Sequence, residues 1–134
     1  MADRGHADAE QSGSAFVLNM WIEKNCVEAD HGLPKSVMLA APSGKPHEVF
    51  FCGNCATRLW SKYHAAPGDA LFVRVGTLDH PERVEPDVHI FTRSKLPWLE
   101  LPPDAPAFEA FYKIPEVWPT VSQERLRRNI AGQN

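Results

Sequence analysis

The segment VFFCGNCATRLW, residues 49–60, places two cysteines between two apolar runs of strand length. Cys52 and Cys55 lie three positions apart, and Gly53 between them permits a tight bend. Two thiolates at this spacing suit one half of a tetrahedral zinc site. The same spacing also occurs in redox dithiols, so the segment by itself leaves both chemistries open.

Short strands separated by turn residues are predicted on both sides of this segment. Twelve prolines, spread from Pro34 onward, exclude long helices from most of the chain. The predicted strands are residues 15–22, 27–29, 35–41, 47–51, 57–63, 70–77 and 87–92. Residues 120–132 have a helical pattern that ends near Gly132. We therefore predict an all-β fold of short antiparallel strands with a short C-terminal helix.

The length of 134 residues is most simply that of one domain. Residues 1–11 are polar and lack periodicity, so we expect a disordered leader there. Residues 12–112 contain all the predicted strands and form the expected domain. Residues 113–134 are predicted to be a C-terminal tail that includes the short helix.

A net charge of -3 and an isoelectric point near 6.0 argue against nucleic acid as a partner, because nucleic-acid affinity depends on a basic surface. No apolar run reaches membrane-spanning length, so no membrane association is expected. Three cysteines, an odd number, argue against a disulfide framework and for a reducing compartment. These features together predict a cytoplasmic protein.

Four sequence blocks carry a resemblance to a known family. They are SGSAF at 12–16, FCGNCATRL at 51–59, GTLD at 76–79 and HIFTRSKLPW at 89–98. In this order and with these gaps, residues 12–101 resemble the glutathione-dependent formaldehyde-activating enzyme (GFA) family, also called the centromere protein V family. The last block is the most specific of the four. The resemblance implies a compact β-tent zinc fold, of which residues 12–112 would be an N-terminally incomplete example.

The resemblance also implies two zinc sites. It assigns Cys52 and Cys55 to a structural zinc that an N-terminal C-x-C pair would complete, so zinc is an expected cofactor whose structural site is half present. A catalytic zinc is held in the family by a C-H-C-x-x-C motif just before the SGSAF block. The three cysteines of that motif fall at Asp3, Gly5 and Asp8 in this sequence.

The activity that the resemblance implies is of the carbon-sulfur lyase type, in which glutathione and formaldehyde form S-(hydroxymethyl)glutathione. Because all three catalytic cysteines are replaced, we expect this activity to be lost or impaired. A truncated or mis-started enzyme and a diverged non-enzyme are both compatible with the sequence. A replacement zinc site built from Asp3, His6 and Asp8 is the less favoured alternative.

Residues of the last block are candidates for substrate binding, and the expected ligand is glutathione or another small thiol. Arg93 and Lys95 carry charges that would attract a carboxylate-rich ligand, and His89 and Trp98 belong to the same block. The alternative for His89 is a buried structural histidine, and for Trp98 an apolar anchor of its loop. Cys26 is expected to be a small buried residue.

The sequence is also compatible with two other functions. A non-catalytic β-tent module would bind a peptide, a small thiol or a second copy of the chain, because unpaired sheet edges recruit another strand and favour a homodimer. Alternatively, Cys52 and Cys55 form a redox pair.

Overall fold

Seven strands form one sheet in the computed structural model, which describes residues 2–3, 12–30, 32–41 and 44–132. The strands are β1 (Ala2–Asp3), β2 (Val17–Glu23), β3 (Lys35–Leu39), β4 (His47–Phe51), β5 (Arg58–Tyr63), β6 (Ala70–Arg74) and β7 (His89–Ile90). Two helices follow, α1 (Ile114–Val117) and α2 (Thr120–Ile130). The predicted all-β fold with a short C-terminal helix is confirmed.

The sheet has the strand order β3-β4-β5-β6-β2-β1-β7. All of its pairings are antiparallel except that of β1 with β7, which is parallel. β6 lies near the centre, and all five of its residues are buried, so both of its faces are covered. Its strand ends at Arg74, three residues before the predicted end, because residues 75–77 turn into a 3-10 helix.

The predicted leader and the last predicted strand differ most from the structure. Ala2–Asp3, within the leader predicted to be disordered, form β1 between β2 and β7, and residues 4–11 lie outside the described part of the chain. β7 has only two residues because Phe91 adopts a left-handed conformation with φ 53°, which ends the extended chain. β4 coincides with its predicted range, whereas the predicted strand at residues 27–29 is wrong, because those residues are irregular.

An apolar cluster covers the β7 end of the sheet. Val88, Ile90 and Tyr112 are buried together, and Phe108 and Trp118 are among the residues packed against them. The Trp118 indole donates a hydrogen bond to the Tyr112 hydroxyl at 2.7 Å. Segment 108–118 therefore docks on the core, and Trp118 also contacts Trp21 of β2 edge to face.

Helix α2 is attached to the sheet where β2 ends and β6 begins. Arg125 donates two hydrogen bonds to the carboxylate of Glu23, at 2.9 and 2.6 Å. The buried Asn129 amide accepts a hydrogen bond from the Asp69 backbone N–H at 2.6 Å and donates to the Asp69 carbonyl at 3.2 Å. Within the described ranges, no helix has the length and apolar character needed to cross a bilayer.

Candidate functional site

The two cysteines of the C-x-x-C segment lie in a tight loop between β4 and β5. The Cys52 N–H donates to the Thr57 carbonyl, and the Ala56 N–H donates to the Cys52 carbonyl, both at 2.9 Å. The left-handed residue of this loop is Ala56, with φ 59°, and Gly53 does not have a positive φ. The bend therefore depends on the residue after the second cysteine, which corrects the role expected for Gly53.

All three cysteines are free thiols. Cys52 is half-buried, whereas Cys55 and Cys26 are exposed, so the expectation that Cys26 is buried is wrong. The Sγ atom of Cys55 lies 3.1 Å from the Thr57 hydroxyl. This hydrogen bond, with weaker ones from the Thr57 backbone and Cys52, lowers the pKa of Cys55. The redox interpretation of the pair stays a prediction.

The described residues do not form a complete zinc site. A structural zinc takes four ligands, and the loop supplies two thiolates. No group of three or more His, Cys, Asp or Glu side chains arranged to hold a metal occurs in the described ranges. Of the positions predicted to correspond to the catalytic cysteines, Asp3 lies in β1 opposite Val17, and Gly5 and Asp8 lie outside the described residues.

A cavity of about 710 Å³ lies directly beside the cysteine loop. It forms where β5 and β2 begin and β6 ends, because these three strands are neighbours and alternate in direction. The residues that line it include Phe16, Val17, Thr57, Arg58, Arg74 and Gly76. The cavity therefore combines an apolar wall with two arginines, and its volume is in the range typical of small-molecule sites.

Arg74 is a buried charge at this end of the sheet, with 8% of its surface exposed. Its Nη1 donates to Oδ1 of Asn19 at 2.5 Å, and its Nη2 donates to Oγ of Ser61 at 3.3 Å. Asn19 and Arg74 are register partners on β2 and β6, and Ser61 lies on β5. Three neighbouring strands thus hold the guanidinium through neutral oxygen atoms.

The four residues predicted to bind substrate lie elsewhere, and none is among the described residues that line the cavity. His89 is buried in β7, with 1% of its surface exposed. Arg93 is exposed and stands 6.0 Å from the centre of the Phe91 ring. Lys95 is half-buried, and Trp98 is 68% exposed, so Trp98 is not the buried anchor of its loop. Their role in binding stays a prediction.

Sequence reasoning missed the cavity and both of its arginines. A signal for Arg74 was present, because it is the one charge in the apolar run ALFVRV, and charged side chains are almost never buried without a partner. Arg58 gave no such signal, since it follows the cysteine loop in a polar context. Neither pattern shows that Arg58 and Arg74 meet at one cavity.

Comparison with known proteins identifies the family. A family model described as "Glutathione-dependent formaldehyde-activating enzyme" matches residues 8–94, which include the cysteine loop, strands β2 to β7 and the cavity-lining residues named above. A search of curated proteins finds no match. The matched range is well over half of the 134 residues. The chain therefore belongs to the glutathione-dependent formaldehyde-activating enzyme family.

Proposed function

We propose that this protein binds glutathione or a closely similar small thiol in the cavity beside the cysteine loop, without enzymatic formation of S-(hydroxymethyl)glutathione. The observation that supports binding is the cavity itself, in which Arg58 and Arg74 stand beside an apolar wall. Glutathione carries two carboxylates at neutral pH, and guanidinium groups recognise carboxylates well. A thiol bound here would lie close to Cys55, because Ala56 and Thr57 line the cavity.

The proposed loss of catalysis rests on the ligand set. The three family positions that would hold a catalytic zinc are Asp3, Gly5 and Asp8, of which Gly5 has no side chain that can bind a metal. A zinc ion with an open position for the thiol is therefore not expected at these residues. The proposal also includes a reducing, cytoplasmic setting, which the three free cysteines favour. If the Cys52–Cys55 loop binds zinc, the other ligands come from outside the described residues.

Reduced glutathione is expected to bind at a single site, and Gly76→Leu is expected to weaken binding at least roughly tenfold because the new side chain occupies the cavity. A Cβ atom at Gly76 would meet no atom within 4 Å, and its φ is not left-handed, so the larger residue fits without strain. Isothermal titration calorimetry measures both affinities.

The matched control is Ala65→Leu, which places the same leucine side chain at an exposed site after β5, at the other end of the sheet. It should bind glutathione as the unchanged protein does. No heat of binding at millimolar glutathione, or equal affinities for the Gly76→Leu and Ala65→Leu proteins, would contradict the proposal.

A specific observation favours a second function, a homodimer formed through β3. This strand has a partner on one side only among the described strands, and Val37 and Met38 on it are 43% and 56% exposed. An antiparallel copy centred on Val37 would place Val37 opposite itself and Lys35 opposite Leu39, so no like charges face each other.

We expect Val37→Lys to convert such a dimer to a monomer, because it places two like charges opposite each other at the centre of the pairing. Light scattering coupled to gel filtration gives the mass at each concentration. Val121→Lys makes the same change at a 70% exposed site on α2 and should leave the dimer intact. A monomeric unchanged protein at high micromolar concentration would rule out the dimer.

A further inference from the structure

The guanidinium of Arg74 is a buried positive charge whose hydrogen-bond partners are both neutral. The group has five N–H donors, and the amide of Asn19 and the hydroxyl of Ser61 accept from two of them. No ion pair joins Arg74 to a carboxylate in the described part of the chain. A charge buried in this way is normally paired, because its lost hydration must be replaced.

The cavity is the place where an anion reaches this charge. Arg74 lines it, and Arg58 adds a second positive charge to the same wall. None of the described lining residues is acidic. An anion entering the cavity would therefore meet the Arg74 guanidinium and no described carboxylate, in surroundings where partial burial strengthens the attraction.

We propose that the cavity is a binding site for a small-molecule carboxylate, and that the Arg74 guanidinium binds the carboxylate group. The guanidinium is planar and presents paired donors, which match the two oxygens of a carboxylate. Phe16, Val17 and Val75 supply an apolar wall for the carbon skeleton of the ligand. The inference rests on the proposed function only in taking this cavity as the ligand site, and it requires neither a thiol nor glutathione.

Succinate and its dimethyl ester test the inference on the unchanged protein, because they differ in charge and contain no sulfur. We expect succinate to bind and the ester not to bind, as measured by calorimetry or by NMR shifts of the Thr57 and Gly76 amides. Inorganic phosphate is the third probe and should bind more weakly than succinate. Equal binding of the ester, or tighter binding of phosphate, would overturn the assignment of a carboxylate site.

Arg74→Met tests the residue and should weaken succinate binding roughly 10- to 100-fold, which corresponds to the loss of charge-assisted hydrogen bonds. Methionine keeps much of the side-chain volume and leaves only neutral groups, so folding should survive, which circular dichroism checks. Arg74→Lys keeps the charge and should recover binding in part.

Arg83→Gln is the control for charge alone. Arg83 is exposed in the short 3-10 turn that begins at Pro81, a cavity-lining residue. Its removal should change affinity less than about twofold, since an exposed charge is screened. An equal loss in the Arg83→Gln and Arg74→Met proteins would overturn the role of Arg74. If succinate binding depends on Arg74 but glutathione does not bind, the proposed function is refuted and the carboxylate site is supported.

Discussion

Gly68→Ala is expected to lower the free energy of unfolding by about 3 kcal/mol. Alanine is strained in a left-handed backbone conformation, and its Cβ atom would break the two hydrogen bonds between Asn129 and the Asp69 backbone. Gly68 has φ 77°, and a Cβ atom there would overlap Oδ1 of Asn129 and lie 3.4 Å from Cδ1 of Leu126. Asn129 would have to leave the Asp69 backbone, and helix α2 would lose its attachment to the turn before β6. Urea unfolding followed by tryptophan fluorescence measures the change.

Gly44→Ala is the matched control for backbone strain. Gly44 has φ 72°, and a Cβ atom there would meet nothing within 4 Å. Its substitution should cost about 1 to 2 kcal/mol, the left-handed penalty alone. The difference between the two variants therefore isolates the contact with Asn129.

A double-mutant cycle makes this contact directly measurable. In an Asn129→Ala background the obstructing amide is gone, so Gly68→Ala should cost no more than Gly44→Ala does. We expect a coupling energy of about 1 kcal/mol or more between the two sites. Strictly additive effects of Gly68→Ala and Asn129→Ala would show that the cost at Gly68 does not come from a contact with this amide.

Much of the fold follows from local sequence patterns. Strand β4 was predictable because an apolar run follows a turn signal and is ended by the cysteine loop, and β2 and β5 begin within two residues of their predicted starts. The short helix was predictable from its polar, proline-free pattern before Gly132. The early ends of β6 and β7 depend on backbone turns at residues 75–77 and at Phe91, which apolar patterning does not reveal.

The site was less predictable because it depends on strand order. Arg58, Arg74 and Phe16 lie far apart in sequence and come together only because β5, β6 and β2 are neighbours in the sheet. Local patterning does not determine that order. The cysteine loop was visible in sequence because both thiols lie in one short segment, and the resemblance to the family supplied its interpretation.

The second large effect that we expect is the loss of catalysis in this family member. An enzyme that uses zinc to activate glutathione needs protein ligands that hold the ion and leave one position open for the thiol. In our proposal, the family cysteines that would do so correspond to Asp3, Gly5 and Asp8, none of which is a cysteine. We therefore expect no catalysis from this protein, although it keeps the family fold.

NMR can follow the rate at which glutathione and formaldehyde form S-(hydroxymethyl)glutathione, with added zinc and with a chelator, and this rate shows whether the protein is a catalyst. We expect the spontaneous rate in both conditions, unchanged by Cys52→Ser or by the control Cys26→Ser. A saturable, protein-dependent rate that the chelator removes, and that falls with Cys52→Ser but not with Cys26→Ser, would contradict it.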